Sequence, residues 1–338
     1  MRRYGCMSAL GALAVWALAG CGGGSMSGGA MSAASGPDSP LTINQSNATA
    51  TAAEAIVTTA TLSDTATSAG ASTAPPSAVA ASLGAMNRRV VQRSLPNHVA
   101  AAGTATYACA AGGDFTAVTS TDGKTLTVTF ADCSEVAGTS VAGTQTYSDL
   151  MLTTQSSSDS LSANVSDALT IVVGTVSYAE TGNYAFSFSG NKTANGAFSM
   201  ESFELSGSTL AVMVSKNGAV SDSTLTDFDF SLEEDLTMAP HQLYSSFHFA
   251  LASSLLDGKI TVSTTAQLKQ IADSTHLYPY AGQILIMGAD NERLQATILG
   301  DETFVPPAGE GQIELQLDPG NGSFGPPTWL DWATLTAA

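Results

Sequence analysis

The chain has 338 residues, of which 44% are hydrophobic and only 12% are charged. Its formal net charge is −18, from 11 lysines and arginines against 29 aspartates and glutamates. A surface this acidic repels phosphate backbones, so we expect no nucleic-acid partner. The length is compatible with one large β domain or two average domains.

The N-terminus has the layout of a cleavable export signal. A short positive region with two arginines precedes an apolar stretch, residues 9–19, that is too short to cross a bilayer. This stretch ends in Leu18-Ala19-Gly20-Cys21, which resembles the lipobox of bacterial lipoproteins. The resemblance implies that residues 1–20 are a lipoprotein signal peptide and that Cys21 is the lipidated first residue of the mature protein.

The lipobox resemblance also implies how and where the protein is held. In that class the cysteine carries diacylglycerol and an amide-linked acyl chain such as palmitate, and several acyl chains together give stable anchoring. Gly22, rather than an aspartate, follows the cysteine, which by resemblance to enteric lipoproteins implies the outer membrane. The alternative is an ordinary signal, or an uncleaved anchor, that happens to contain a cysteine.

Two segments separate the cysteine from the rest of the chain. Residues 21–43 are predicted to be a lipidated, disordered Gly/Ser-rich tether, because glycine and serine bury too little apolar surface to fold. Residues 44–103 are predicted to be a low-complexity region with short helices. One helix is expected from the capping residue Asn47 to Leu62, and another over residues 77–93, where apolar residues recur at helical spacing.

The remainder, residues 104–338, shows the pattern of half-buried strands. Apolar and polar residues alternate at period two, and turn dipeptides such as Asp122-Gly123, Asn217-Gly218 and Asp257-Gly258 separate the runs. The chain is therefore predicted to be mainly β, a large antiparallel meander that forms a curved sheet, a sandwich or a barrel-like domain. One helix is expected within it, over residues 264–274.

Two cysteines, Cys109 and Cys133, belong to this predicted domain. Each follows or ends a predicted strand, and a three-strand meander brings such ends together. Two thiols in an oxidising compartment most simply pair with each other. The alternative, a thiol pair for metal or redox chemistry, lacks the Cys-x-x-Cys spacing and a nearby histidine. We therefore predict a structural disulfide between Cys109 and Cys133.

The surroundings of these cysteines carry a second resemblance. Cys109-Ala-Ala-Gly-Gly and the later Thr-Val-Thr-Phe-Ala-Asp-Cys133-Ser resemble a recurrent pattern in uncharacterised proteobacterial outer-membrane lipoproteins. Residues 282–289, together with Trp329 and Trp332, resemble the C-terminal hairpin of the same group. The resemblance implies an anchored envelope protein and implies no activity.

Motifs for catalysis, cofactors and metals are missing from the sequence. The four histidines lack the spacing of a zinc site, and the chain contains no Gly-x-Ser-x-Gly elbow and no P-loop. We therefore predict no catalytic residue, no metal site and no cofactor.

Two acidic segments leave alternatives open. Asp227 and Asp229 fall on one face of a predicted strand, where they suit either a cation or carbohydrate contact or, more simply, a solvated strand face. Residues 318–323 faintly resemble a calcium loop but lack its successive aspartates and terminal glutamate, so a hairpin turn is the better interpretation.

The aromatic residues near the C-terminus also allow two interpretations. Trp329 and Trp332, with Tyr278 and Tyr280, suit either a stacking platform for sugars or ordinary core packing. A platform requires these rings to be exposed.

These observations favour a non-enzymatic, lipid-anchored protein of the outer membrane with a binding or structural role. Its expected partners are the membrane, through the N-terminal lipid, and an envelope protein or glycan. One alternative is a surface adhesin or carbohydrate-binding module, which predicts an exposed aromatic strip. The other is an envelope glycan hydrolase, which requires two carboxylates facing each other across a cleft.

Overall fold

The computed structural model describes residues 39–68, 103–134, 138–173, 176–216, 219–271, 279–300 and 312–332. Within these ranges the chain forms one α-helix, α1 (Ala48–Ser68), and a set of β-strands. The predicted signal peptide, Cys21 and the helix predicted over residues 77–93 lie outside the described residues.

The strands follow one another along the chain, and the longest have 16 to 19 residues. They are β1 (Gly103–Ala108), β2 (Gly112–Thr119), β3 (Leu126–Ser134), β4 (Thr139–Thr154), β5 (Ser158–Val173), β6 (Val176–Lys192), β7 (Phe198–Lys216), β8 (Ala219–Asp235), β9 (Gln242–Ser253), β10 (Lys259–Ile271), β11 (Ala281–Met287), β12 (Arg293–Leu299), β13 (Gln312–Asp318) and β14 (Thr328–Leu330).

These strands form one open antiparallel sheet in which spatial order equals chain order, from β1 to β14. The predicted antiparallel meander is therefore confirmed, in the form of a single continuous sheet. Two of the turns named from sequence are described in full: Gly123, in the left-handed region at φ 71°, turns the chain from β2 to β3, and Gly258 precedes β10. At the third, β7 and β8 pair up to Lys216 and Ala219.

One face of the sheet is apolar and buried, and the other is polar and exposed. In β3, Leu126, Val128 and Phe130 are at most 3% exposed, whereas Thr127 and Thr129 point outwards. The same alternation runs along β5, where every second residue from Leu161 to Ile171 is buried. Period two therefore places one continuous core on the inner face of the sheet.

The sheet curls around α1. The helix contacts β7, β8 and β9 and also β12, although β7 and β12 would be about 24 Å apart in a flat sheet with strands about 4.8 Å apart. A helix is only about 10 Å wide, so the sheet must bend to bring both strands to it. Small residues suit this enclosed position, and Ala52 and Ala55 are completely buried.

The predicted first helix is confirmed, but Asn47 does not cap it. Its side-chain oxygen accepts a hydrogen bond from Asn44 N at 2.8 Å, and its amide donates to Thr42 O at 2.9 Å. Asn47 therefore fastens the turn before the helix, and α1 continues to Ser68, beyond the predicted end at Leu62.

The helix predicted over residues 264–274 is wrong. Residues up to Ile271 belong to β10, which is hydrogen-bonded to β9 on one side and β11 on the other. Irregularities near Ala266 and Lys269 shift the register. They leave Leu268 and Ile271 buried three residues apart, so the bulged strand imitates the spacing of a helix.

Candidate functional site

A cluster of polar side chains lies inside the core where β4, β5 and β6 run side by side. Period two turns these positions inwards, because Gln145 is paired with Asp167 across β4 and β5, and Leu169 with Glu180 across β5 and β6. Five inward polar side chains form what we call the interior cluster: Gln145, Tyr147, Asp167, Glu180 and Tyr184. None of these five is more than 7% exposed.

Hydrogen bonds connect the interior cluster across the strands. Tyr147 Oη donates to Gln145 Oε1 at 2.8 Å, and Gln145 Nε2 donates to Tyr184 Oη at 3.4 Å. Tyr184 Oη in turn donates to Asp167 Oδ2 at 3.2 Å. The other oxygen, Asp167 Oδ1, is buried without a hydrogen-bond partner among the described residues. The network therefore ends on the buried carboxyl group of Asp167.

Burial controls the protonation of the cluster. It raises the pKa of Asp167 to about 6, an effect that hydrogen bonds from Glu180 and Tyr184 partly offset. Burial also raises the pKa of Tyr184, and the nearby Asp167 and Glu180 carboxyls add to this rise. Burial raises the pKa of Tyr147 as well. Both tyrosine hydroxyl groups therefore stay protonated and act as hydrogen-bond donors. A hydrogen bond between the carboxyls of Asp167 and Glu180 requires a proton on one of them.

The interior cluster is enclosed by the core and does not line an open cleft. Glycosidase carboxyls flank a cleft and stand about 5–9 Å apart, with room for a sugar or a water molecule between them. Asp167 and Glu180 instead lie on adjacent strands and are each 5% exposed. The pair therefore lacks the open cleft that the hydrolase hypothesis requires.

A second constellation fixes the chain segment that precedes α1. Leu41 N donates to Lys259 O at 2.8 Å, and Lys259 N donates to Ser39 O at 2.9 Å. Ala289 N donates to Leu41 O at 2.7 Å, and the Glu292 carboxylate accepts a hydrogen bond from Ile43 N. Residues 39–43, which composition assigned to the tether, are thus bonded to the sheet. We call this end of the sheet the docking end.

Two glycines make room for the docked segment. A Cβ atom on Gly258 would lie 2.6 Å from Leu41 Cα, and one on Gly288 would lie 2.3 Å from Leu41 O. These distances are shorter than any real Cβ contact. Gly258 lies in the β9–β10 turn and Gly288 in the β11–β12 turn, so both turns are shaped for close approach of the backbone of Leu41.

The predicted disulfide is present. Cys109 and Cys133 are bonded, with their Cα atoms 5.5 Å apart. Cys109 follows β1 and Cys133 lies in β3, so the bond closes the three-strand meander at the first edge of the sheet, as the spacing predicted.

The acidic segment 227–235 is divided between the two faces. Asp227, Asp229 and Glu233 are exposed on the outer face of β8, as expected for a solvated strand. Glu234, by contrast, is fully buried, and its Oε1 lies 3.3 Å from Nδ1 of His241. In the described part of the chain, no three His, Cys, Asp or Glu side chains form a group suited to a metal ion.

The segment after β13 is a turn organised by one carboxylate. Asp318 Oδ1 accepts hydrogen bonds from the backbone N–H groups of Gly320, Asn321 and Gly322 at 3.0–3.1 Å, and Oδ2 accepts from Arg293 Nε at 2.9 Å. The side chain thus holds the turn itself. Residues 320–325 also have Gly-x-Gly-x-x-Gly spacing, but they join antiparallel strands and open no helix, so this is not a dinucleotide site.

The C-terminal tryptophans differ in exposure. Trp332 is 2% exposed and belongs to the core, whereas Trp329 on β14 is 52% exposed. Tyr280 Oη donates to Gln242 Oε1 at 3.0 Å, and Tyr278 lies outside the described residues. Trp332 is therefore excluded from the predicted stacking platform, whereas Trp329 is exposed and Tyr280 is half-buried.

Sequence reasoning missed the interior cluster, although a signal existed. Val165, Asp167 and Leu169 occupy successive inward positions of one alternating run, so an aspartate in the apolar series was visible. The docked segment left no such signal, because it depends on contacts between Leu41 and two distant turns.

The comparisons with known proteins add no relatives. No family model, curated protein or solved structure matches the chain. Among the described residues, no helix combines the length and apolar character needed to cross a membrane.

Proposed function

We propose that this protein is a lipid-anchored component of the outer membrane with a non-enzymatic, binding or structural role. The observation that carries the proposal is the docking of residues 39–43, where Leu41 is bonded to both Lys259 and Ala289. An acylated Cys21 would be joined to the sheet at this point. Force on the anchor would then act on a backbone that is hydrogen-bonded into the sheet.

The outer face offers polar side chains with which a partner could form hydrogen bonds. Most of its exposed positions along β5 are short polar residues, Ser160, Asn164, Ser166 and Thr170, and Ala168 is exposed as well. A shallow depression of about 300 Å³ on the same face is lined by Asp149, Asn164, Ser187 and Glu204, among others. These four side chains form two hydrogen-bonded pairs, because Asn164 Nδ2 donates to Asp149 and Ser187 Oγ donates to Glu204.

The buried carboxyl pair is not placed for hydrolysis. A hydrolase needs its acid and base within reach of a substrate, whereas Asp167 and Glu180 are enclosed by the core. The partner we propose is therefore an envelope protein or glycan that meets the polar outer face.

The anchor is tested by expressing the full chain with its signal, as wild type, as Cys21→Ala and as Cys6→Ala. We expect an acylated mass in the outer-membrane fraction for the wild type and for the control Cys6→Ala, whose cysteine lies within the signal. Cys21→Ala should lose both the added mass and the membrane association. An unmodified wild-type protein in the soluble fraction would contradict the proposal.

A carbohydrate-binding module is the second candidate, favoured by the exposure of Trp329 beside Glu314 on the neighbouring strand. An exposed tryptophan can stack on a sugar ring. Glycan binding that quenches tryptophan fluorescence in the wild type and is absent in Trp329→Ala would support this candidate.

A further inference from the structure

The docking end carries exposed apolar side chains close to the point where residues 39–43 join the sheet. Leu255, in the β9–β10 turn, is 57% exposed, and Met287, at the end of β11, is 44% exposed. Each belongs to one of the two turns that hold Leu41, because Leu255 is three residues before Gly258 and Met287 immediately precedes Gly288. Docked backbone and exposed side chains therefore occupy the same end of the sheet.

A third side chain extends this group. Val220, at the start of β8, is 51% exposed. It lies two residues before Asp222, whose carbonyl accepts a hydrogen bond from Ser254 N at 2.8 Å and whose N–H donates to Ser254 Oγ at 3.0 Å. Ser254 is next to Leu255, so Val220 belongs to the same region. We call Val220, Leu255 and Met287 the docking-end patch.

The chain outside the described residues limits what can cover this patch. Eighteen positions separate the predicted anchor at Cys21 from Ser39. A Gly/Ser-rich linker of that length has a root-mean-square span of about 24 Å. The opposite end of β8 lies about 50 Å from the docking end, since each strand residue advances about 3.3 Å. An acyl anchor would thus keep the docking end, and not the far end, near the bilayer.

We propose that the docking-end patch is a second membrane contact, in which Val220, Leu255 and Met287 enter the headgroup region of a zwitterionic lipid surface. This inference rests on the proposed anchoring at Cys21. Exposed apolar side chains gain free energy by leaving water for the interface, to a depth of about 5–10 Å. The patch would fix which end of the sheet faces the bilayer, leaving the polar outer face for partners.

Charge decides the kind of lipid. Asp257 and Asp290 are exposed in the same two turns as Leu255 and Met287. Their carboxylates would be repelled by anionic headgroups, whereas phosphatidylcholine and phosphatidylethanolamine carry no net charge. The patch therefore suits a zwitterionic surface.

The test uses the full, exported chain with single substitutions Leu255→Cys, Met287→Cys and Met238→Cys, each labelled with a polarity-sensitive fluorophore. Met238 is the matched control, because it is the same residue type as Met287 and is 42% exposed, but lies beyond the other end of β8. The native Cys109–Cys133 disulfide does not react with the label. Labelled protein is mixed with phosphatidylcholine vesicles that carry bromine on the acyl chains.

We expect bromine quenching at positions 255 and 287 to exceed that at position 238 by about threefold or more, as insertion of one end only requires. Equal quenching at all three positions, or stronger quenching at 238, in protein that is acylated and floats with the vesicles would overturn the second contact and leave the anchor intact. An unacylated protein that does not float would overturn the anchor and this inference together.

Discussion

The hydroxyl group of Tyr184 donates a hydrogen bond of 3.2 Å to the Asp167 carboxyl inside the core. The tyrosine lies on β6 and the aspartate on β5, where Tyr184 is paired with Val165, two residues away from Asp167. Because one Asp167 oxygen remains without a partner among the described residues, the hydrogen bond stabilises the ionised form only in part. Burial therefore dominates the protonation of this group.

The first prediction is that Asp167→Asn stabilises the protein at neutral pH. The pKa of Asp167 rises from 3.8 to about 6 on folding, so the folded chain binds more protons than the unfolded chain between these values. The free energy of unfolding of the wild type therefore falls as the pH rises from about 4 to about 6, and it stays at the lower value above pH 6. The difference corresponds to about 3 kcal/mol. Asparagine keeps an acceptor for Tyr184 and removes the charge.

Urea unfolding at pH 4 and pH 7 measures this effect. We expect the free energy of unfolding of Asp167→Asn to equal that of the wild type at pH 4 and to exceed it at pH 7. The control is Asp229→Asn, which removes an exposed carboxylate from the outer face of β8 and should leave the difference between the two pH values unchanged. A variant less stable than the wild type at both pH values would contradict the prediction.

Asp318 provides the opposite case. The hydrogen bond from Arg293 is the main cause that lowers the pKa of Asp318, and the backbone N–H groups of the turn add to it. Ionised Asp318 therefore stabilises the folded protein at neutral pH. This stabilisation is lost as the pH falls below 3.8 and passes through the lower pKa that Asp318 has in the folded protein. Hydrogen bonds to a charged group contribute about 1.5–3 kcal/mol. We expect Asp318→Ala to lower the free energy of unfolding at pH 7 by about this amount.

A matched variant separates the two roles of Asp318. Asp318→Asn keeps an oxygen for the N–H groups of Gly320, Asn321 and Gly322 but loses the ionic bond to Arg293. Its free energy of unfolding at pH 7 should fall between those of Asp318→Ala and the wild type. If both variants unfold like the wild type, the turn does not depend on this carboxylate.

The alternation of residues was sufficient to predict the β architecture. Leu126, Val128 and Phe130 alternate with threonines, and one buried face follows directly from that pattern. The prediction failed in β10, because register shifts near Ala266 and Lys269 interrupt period two and bring Leu268 and Ile271 to helix-like spacing. A bulge depends on the partner strands, which a single stretch of sequence does not contain.

The interior cluster was only partly predictable. Inward placement of Asp167 follows from its position between Val165 and Leu169. Its proximity to Glu180 and Tyr184 depends on the pairing register of β5 with β6. The length of the connecting turn fixes this register, but only when the ends of both strands are known. The docked segment was beyond prediction, since Leu41 and Gly288 are far apart in sequence.

The disulfide should contribute measurably to stability. Cys109 and Cys133 are 24 residues apart, and closing a loop of this size stabilises the folded state by about 3 kcal/mol in the chain-entropy model. We expect the Cys109→Ala/Cys133→Ala double variant to retain its β-sheet circular dichroism and to unfold at a lower urea concentration. Wild-type protein under reducing conditions is the parallel measurement, and an unchanged midpoint in both would contradict the prediction.

Gly288 should be necessary for docking of residues 39–43. In Gly288→Ala the new Cβ atom would lie 2.3 Å from Leu41 O, and the backbone must move to relieve the clash. Such overpacking costs about 1–3 kcal/mol, and residues 39–43 are the part able to separate from the sheet. Hydrogen exchange measures this directly through the amides of Leu41 and Ile43, which are bonded to Lys259 and Glu292.

We expect these two amides to exchange about ten- to a hundredfold faster in Gly288→Ala, since each 1.4 kcal/mol of opening free energy is tenfold in population. Amides in the middle of β5 and β6, which β7 and β8 separate from β9, should exchange at wild-type rates. The control is Gly103→Ala, whose added Cβ atom meets nothing within 4 Å. Equal exchange of Leu41 in Gly288→Ala and Gly103→Ala would show that the glycine is not what admits the docked segment.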